Sequence, residues 1–206
     1  KKEAARHPSP PFITSTLQQE GWRKLRFSSK RTMRVAQQLY EGVDIGEGPQ
    51  GLITYMRTDS VNLAEEAIKE LRAFIADRYG FEQLPKQPRA FKTKAKNAQE
   101  AHEAIRPTST WRVPKDIKAH LSAEQAKLYE LIWKRTVACQ MQHATIATVA
   151  VDLGAGAGNV FRANGSTVTK PGFMQVYLEG KDDIKPGDDD EKMLPALNEG
   201  DRVELL

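Results

Sequence analysis

The stretch "GLITYMRTDS", Gly51 to Ser60, is the part of the chain on which the interpretation of the rest depends. Its first half, "LITYM", is a short run of β-type residues, and its second half has the polar residues that commonly begin a helix. In a strand, Tyr55 and Arg57 would share one face, about 7 Å apart. The stretch therefore raises the question whether Tyr55 fills the core or reacts.

A tyrosine beside an arginine suits attack on a phosphate. A phenol has a pKa of about 10 and is a poor nucleophile unless its anion is stabilised or its proton is taken. The Arg57 guanidinium could do the first and could also hold a phosphate with two hydrogen bonds. Thr54, Thr58 and the amides of a following helix could add hydrogen bonds to the same anion. By itself, however, the spacing favours an ordinary packed tyrosine, because such pairs occur in many strands.

The composition is that of a folded protein of one or two domains. The chain has 206 residues, of which 39% are hydrophobic and 28% charged. One cysteine, Cys139, excludes an internal disulfide and a cysteine-cluster metal site. The sequence contains no apolar run near the roughly 18 residues of a membrane span, and no signal peptide. These features favour a cytoplasmic protein with no membrane partner.

Charge is unevenly distributed along the chain. Residues 1–143 hold 25 Lys and Arg against 16 Asp and Glu, a net charge of +9. Residues 144–206 hold 6 against 11, a net charge of −5. The basic part could face a polyanion such as nucleic acid, although a solvated surface explains it as well.

The hydrophobic pattern divides the chain into three parts. Residues 1–11 are expected to be a linker or the cut end of a longer chain, because Pro8, Pro10 and Pro11 disfavour regular structure. Residues 12–143 are predicted to form a mainly helical domain and residues 144–206 a β-rich one. The predicted strands are "ATIATVAVDLG", "NVFRANGSTVT", "FMQVYLEG" and "DRVELL".

Four longer helices are predicted, each with a candidate cap. The segments are "STLQQEGWRKL", "SSKRTMRVAQQLYEG", "NLAEEAIKELRAFIADRYG" and "SAEQAKLYELIWKRTVACQ". The expected caps are Ser15 with Gln18, Ser28 or Ser29, Asp59 or Ser60, and Ser122 with Gln125. The second helix is expected to bury Met33, Ala36, Leu39 and Tyr40, and Gly42 and Gly80 are expected to end the second and third. "NAQEAHEAIRP" is predicted to be a short helical turn that ends at Pro107.

The order of several motifs is more specific than any one of them. "PFITSTLQQE", "MRVAQQLYEG", "LITYMRTDSVNL", "QEAHEAIRPT" and "LYELIWKRTVACQM", followed by a β-rich tail, closely resemble the bacterial type IA DNA topoisomerases of the topoisomerase I kind. The resemblance runs from about Pro11 to the C-terminus. It implies an α+β fold, with a mainly helical, winged-helix-like domain that bears the nucleophilic tyrosine, followed by part of a β-rich gate domain.

The resemblance also implies a reaction. Tyr55 matches the tyrosine that attacks single-stranded DNA and becomes joined to a 5′ phosphate, and Arg57 matches the arginine that positions that phosphate. Passage of another DNA segment and resealing then relax negatively supercoiled DNA, without ATP. His102 is expected to contact DNA or tune charge, and Asp59, Thr54 and Arg106 are candidate DNA-binding residues. Asp59 is otherwise a helix cap, and Arg106 is otherwise part of a surface salt bridge.

Family enzymes bind Mg²⁺ in a Toprim domain, which this chain is expected to lack. The acidic run "KDDIKPGDDDE", residues 181–191, is interpreted as a solvated hairpin loop rather than a metal site, because hard cations need converging oxygens. We therefore expect a fragment without its own metal or cofactor, taken from a monomeric, nucleoid-associated enzyme. Alone, it should neither cleave nor relax DNA efficiently.

Two other interpretations of the sequence stay open. A DNA-binding module without chemistry, built around a helix-turn-helix, would account for the helices and the charge. A tyrosine recombinase or type IB enzyme would also use a tyrosine, but it would give a 3′ phosphotyrosine. The linkage formed with DNA separates these alternatives.

Overall fold

The computed structural model describes residues 2–46, 48–91, 102–178 and 200–202. They group into two compact units that alternate along the chain. The strand unit consists of the described residues of Lys1–His7, His143–Gly172 and Asp183–Leu206. The helical unit consists of those of Pro8–Gln142 and Phe173–Asp182. Within the described ranges, no helix has the length and apolar character needed to cross a membrane.

The helical unit contains five α-helices and a very short hairpin. The helices are α1 Thr14–Leu25, α2 Ser29–Glu41, α3 Glu65–Tyr79, α4 Pro114–Ile117 and α5 Ala123–Cys139. The hairpin pairs β2 Val43–Asp44 with β3 Pro49–Gln50, and short 3₁₀ turns follow α3 and α4 at Phe81–Gln83 and Lys118–His120.

Helix α5 is the centre of this unit. It packs against α1, α2 and α4, and Leu128, Ile132 and Val137 are fully buried along it. The buried polar groups on α5 have partners: the Tyr129 hydroxyl donates to the Arg112 carbonyl at 2.8 Å, and Trp133 Nε1 donates to the Thr110 carbonyl at 2.9 Å. A helix that is buried on most sides is expected at a core.

Two predicted caps are confirmed because they are local. Ser122 accepts from the Gln125 amide while the Gln125 side chain accepts from the Ser122 amide. Ser28 accepts from the Arg31 amide at 3.2 Å. The predicted ends of α2 at Gly42 and α3 at Gly80 are also confirmed. The α2 stripe is only partly as expected: Val35, Ala36 and Leu39 are buried, whereas Met33 is half-buried and Tyr40 is exposed.

Two other predicted caps are wrong. Helix α1 begins at Thr14, after Ile13, so Ser15 lies inside its first turn. Helix α3 begins at Glu65, after Ala64, so neither Asp59 nor Ser60 caps it. Instead the Ala64 amide donates to Glu103 Oε1 at 2.6 Å, a carboxylate supplied 39 residues later in the chain.

The predicted helical turn at 97–107 is wrong where the structure describes it. Residues 102–107 form no helical turn: Ile105 pairs antiparallel with Phe12, and Pro107 pairs with Ile53. Ile105 and Phe12 are both fully buried, so long-range pairing outweighs the local helical tendency. The basic segment "KTKAK", residues 92–96, which the sequence predicts to be part of a loop after Pro85 and Pro88, lies outside the described residues.

In the strand unit, three antiparallel strands pair in the order β1-β4-β5. They are β1 Lys2–Arg6, β4 Ala144–Gly154 and β5 Val160–Lys170, with a bulge between Thr145 and Ile146. The two long strands confirm the predictions for "ATIATVAVDLG" and "NVFRANGSTVT". The expectation of a structureless linker is wrong at residues 2–6, which pair with β4 because the prolines begin only at Pro8.

The strand predicted at "FMQVYLEG" is also wrong. Gly172–Gln175 forms a 3₁₀ turn, and Phe173 and Tyr177 are buried in the helical unit. The Tyr177 hydroxyl donates to the buried Glu20 carboxylate and accepts from Arg135 Nη1 at 3.3 Å. Burial, together with Glu20, raises the pKa of Tyr177. This buried polar cluster determines the conformation of the segment.

The α+β class is confirmed, with a mainly helical part followed by a β-rich part. The acidic run and most of "DRVELL" lie outside the described residues. The division of the chain into consecutive domains at residues 11 and 143 remains our interpretation.

Candidate active site

The backbone of the stretch Gly51–Ser60 is held by neighbouring segments. The Leu52 amide donates to the Leu39 carbonyl at 2.8 Å, and the Leu52 carbonyl accepts from the Thr108 amide at 3.0 Å. A Cβ added at Gly51 would lie 2.8 Å from the Tyr40 carbonyl oxygen, so this position has no room for a side chain. The stretch is therefore fixed against the end of α2 before it reaches Tyr55.

Side chains along the stretch alternate between the core and solvent. Met56, Thr58 and Ser60 are buried. Tyr55, Arg57 and Asp59 are exposed. The predicted strand is reduced to a single bridge at Ile53, yet the two-residue period persists. The alternation sends the three exposed side chains to the solvent side.

Tyr55 does not fill the core. Its side chain is 42% exposed. Its ring lies edge-on to that of Tyr40, with centroids 5.3 Å apart and an interplanar angle of 64°. This contact orients the ring without covering it.

Thr14 ties the backbone on both sides of Arg57. Its hydroxyl donates to the Met56 carbonyl at 2.8 Å and accepts from the Thr58 amide at 2.9 Å. Its own amide donates to the Thr58 carbonyl at 2.9 Å. Sequence analysis missed this residue because the hydroxyl acts across 42 residues and no local signal marks it.

An open pocket of 580 Å³ lies beside Arg57, between the start of α1 and residue 102. It brings together three of the predicted site residues, Arg57, Asp59 and His102. Its other lining residues are Ile13, Thr14, Ser15, Gln18 and Thr58. The pocket lies at the start of α1, where the helix dipole has its positive end, and it also contains the Arg57 guanidinium. The first turn of α1 has no acidic residue that would offset this positive charge.

Thr54 and Arg106 are engaged with a neighbouring segment of the protein. The Thr54 hydroxyl donates to the Ala104 carbonyl at 2.7 Å and accepts from the Arg106 amide at 3.0 Å. The Arg106 guanidinium bonds both carboxylate oxygens of Glu103, at 2.9 and 3.3 Å, and the Pro107 carbonyl at 3.0 Å. These bonds join the His102 segment to the Tyr55 segment, and neither residue lines the pocket.

The residues that the structure describes contain no group of three His, Cys, Asp or Glu side chains able to hold a metal ion. Cys139 is buried, which raises the pKa of its thiol to about 12 and leaves it unreactive at neutral pH. The described residues therefore do not fit a Mg²⁺ site.

The sequence profile of the DNA topoisomerase family matches residues 1–206, and the chain belongs to that family. This confirms the resemblance to the bacterial type IA enzymes.

Relatives and a solved structure agree with this assignment. The chain is 56% identical over 206 residues to DNA topoisomerase 1 of Xylella fastidiosa, which covers 99% of the chain and 25% of that protein. It is 52% identical over 204 residues to DNA topoisomerase 1 of Rickettsia bellii, covering 98% and 25%. The structure of full-length topoisomerase I from Thermotoga maritima superposes with a TM-score of 0.69 at 37% identity, over 87% of this chain and 30% of that one. The chain thus spans about a quarter of the length of these curated relatives.

Proposed function

We propose that this chain is the nucleophile-bearing part of an enzyme that relaxes negatively supercoiled DNA. The observation that carries the proposal is an exposed tyrosine, Tyr55, two residues from Arg57 in the stretch that resembles the family's active site. The whole enzyme would act as a monomer on single-stranded regions of DNA in the bacterial cytoplasm, where the nucleoid lies.

In the proposed reaction, the Tyr55 oxygen attacks a phosphodiester. A bond forms between the phenolic oxygen and phosphorus, the bond from phosphorus to the 3′ oxygen breaks, and the phenolic proton is transferred so that the leaving oxygen becomes a 3′ hydroxyl. The 5′ phosphate stays on Tyr55. Attack by the 3′ hydroxyl reverses each step, and the phosphotyrosine stores the bond energy, so that ATP is not required.

Arg57 and the pocket beside it would bind the DNA backbone. Arg57 would neutralise charge that develops on the phosphate, a role that depends on the guanidinium being in place before reaction. The start of α1 and His102 would hold a neighbouring phosphate. Asp59 would lie at the edge of the surface that binds the DNA backbone. Thr54 and Arg106 would hold the His102 segment in place.

The Mg²⁺ of the family would be bound by other parts of the whole enzyme, since the described residues do not fit it. When bound, the metal would help to position the DNA phosphates. The residues of this chain supply the nucleophile, a cation and the backbone frame that holds both.

A relaxation assay tests the proposed function. The whole enzyme should relax negatively supercoiled plasmid with Mg²⁺ and without ATP, whereas the 206-residue chain alone should leave the plasmid unchanged. A need for ATP would contradict the proposal. A whole enzyme that binds the plasmid without changing its linking number would favour the non-catalytic alternative.

We further assign Thr14 a positioning role, which Thr14→Val should reveal. Valine keeps the shape but removes the hydroxyl that holds Met56 and Thr58, leaving the Thr58 amide without this partner. Single-turnover cleavage by the whole enzyme should fall roughly tenfold at saturating DNA, while the dissociation constant for DNA changes little.

Two matched variants control this experiment. Thr14→Ser should restore the rate, because serine keeps the hydroxyl. Thr16→Val removes a hydroxyl from the same turn of α1, one that bonds the Ile13 backbone, and should leave the rate unchanged. An equal decrease in Thr14→Val and Thr16→Val would mean that the effect is general destabilisation of α1.

A further inference from the structure

We propose that the corner between α1 and α2, residues 21–34, is a second surface for single-stranded DNA, next to the pocket beside Arg57 and distinct from it. We call it the basic corner. Residues 21–40 contain six Lys and Arg and no Asp or Glu, although the whole chain has a net charge of only +4. This charge is concentrated far beyond the average of the chain.

A tight link between the helices gathers these cations. Helix α1 ends at Leu25 and α2 begins at Ser29, and Arg26 turns the chain with φ of 56°. The Arg26 amide donates to the Trp22 carbonyl at 3.0 Å, and the Phe27 amide donates to the Gly21 carbonyl at 3.1 Å. Phe27 is buried and anchors the link. The link therefore brings the last turn of α1 close to the first turn of α2.

An exposed aromatic side chain lies among these cations. Trp22 is 54% exposed, and the Arg26 guanidinium carbon lies 5.7 Å from the centroid of its ring. An exposed indole beside a guanidinium offers a flat surface on which a base can stack, and cations that can bind the adjoining phosphates. Single-stranded DNA fits this chemistry better than a duplex, whose bases already stack on each other.

Internal ion pairs account for part of the charge only. Arg31 and Arg34 both contact Glu124 on α5, and Arg23 pairs with the buried Glu20. Lys24, Arg26 and Lys30 are exposed, and none of them has an ion pair with any residue in the described part of the chain. The Lys24 ammonium lies 5.0 Å from the centroid of the Tyr177 ring, so Arg26, beside Trp22, and Lys30 are the cations that the basic corner offers to phosphates.

The basic corner continues from the pocket along one helix. Gln18 lines the pocket, and Trp22 follows four residues later on the same face of α1, about 6 Å further along its axis. A strand with a phosphate in the pocket would reach Trp22 within a few nucleotides. The direction of the DNA strand from the pocket to Trp22 rests on the proposed function. Binding of DNA to the basic corner does not require Tyr55 to react.

Binding of a fluorescently labelled 20-nucleotide single strand to the 206-residue chain tests the proposal. Trp22→Ala should weaken binding about tenfold, because the stacking of one base on the indole is lost. Trp22→Phe should restore most of the affinity. Arg26→Gln with Lys30→Gln should reduce the slope of log K against log salt by about 1.4, or 0.7 for each phosphate that is no longer neutralised.

The matched charge control is Lys115→Gln with Lys118→Gln, an exposed pair in α4 and in the 3₁₀ turn that follows it. It should leave both affinity and salt slope unchanged. Equal slopes for the two double variants, or unchanged affinity in Trp22→Ala, would overturn the proposal. A duplex that binds more tightly than the single strand, without dependence on Trp22, would also overturn it.

The two proposals can fail separately. Tyr55→Phe should bind the single strand as the original chain does. If the whole enzyme forms no DNA adduct while Trp22→Ala still weakens binding, the basic corner stands and the proposed catalysis fails. If adducts form and the Trp22 variants bind unchanged, the basic corner alone is wrong.

Discussion

Tyr55→Phe in the whole enzyme is expected to lower DNA cleavage by at least about 10³-fold, to below detection. The change removes the one oxygen that forms the bond to phosphorus, and the remaining groups can bind DNA but cannot replace a nucleophile. The hydroxyl belongs to an exposed side chain, so the free energy of unfolding should change by less than about 0.5 kcal/mol. Trapped covalent adducts on denaturing gels measure the cleavage.

Tyr40 provides a matched control for this experiment. Its side chain is 41% exposed, against 42% for Tyr55, and the two rings are in edge-on contact. Tyr40→Phe should therefore keep both cleavage and relaxation. Adducts that persist in Tyr55→Phe, or vanish in Tyr40→Phe, would mean that the nucleophile has been wrongly assigned.

Arg57→Gln is expected to have the second-largest effect, a decrease of about 10²- to 10³-fold in single-turnover cleavage. Glutamine is uncharged, so it cannot stabilise the negative charge that develops on the phosphate while one oxygen attacks and the other leaves. Removing one such preorganised donor typically lowers the rate by this factor. Arg57→Lys should recover part of the rate, because lysine restores the charge but not the paired donors.

The decrease should fall on the chemical step more than on binding. DNA affinity in Arg57→Gln should decline modestly, with the salt slope reduced by about 0.7. Arg78→Gln, an exposed arginine at the far end of α3, should behave as the original enzyme. Cleavage by Arg57→Gln at the original rate would remove Arg57 from the proposed mechanism.

Local features of the fold could be predicted from the sequence. The Ser122 cap with its Gln125 partner depends on residues three apart, and it forms as expected. The two long strands β4 and β5 also follow from their own residues and the turn between them. In each case the determining contacts lie close in sequence, where patterns are informative.

Features that depend on distant partners could not be predicted. Before α3, the Ala64 amide bonds Glu103 and neither Asp59 nor Ser60 caps the helix, and Tyr177 lies in a predicted strand but bonds a carboxylate 157 residues away. Strand β1, Lys2–Arg6, pairs with β4, which begins only at Ala144. Nothing near these residues signals the partner, so tertiary contacts override the local tendency.

The same distinction applies to the candidate site. Motif order pointed to Tyr55 and Arg57, and both side chains are exposed as a reactive pair would need to be. The role of Thr14 depends on bonds across the chain and was missed. Thr54 and Arg106 were considered for DNA contact, but their side chains bond Glu103 and backbone groups of the protein.

Mapping the covalent adduct tests the central claim most directly. The whole enzyme would be trapped on a single strand and digested with nuclease and trypsin, and the tryptic peptide of residues 35–57, which contains both Tyr40 and Tyr55, would be sequenced by mass spectrometry. We expect a nucleotide attached to Tyr55 through its 5′ phosphate. A nucleotide attached to Tyr40 or another residue, or joined through a 3′ phosphate, would contradict the claim.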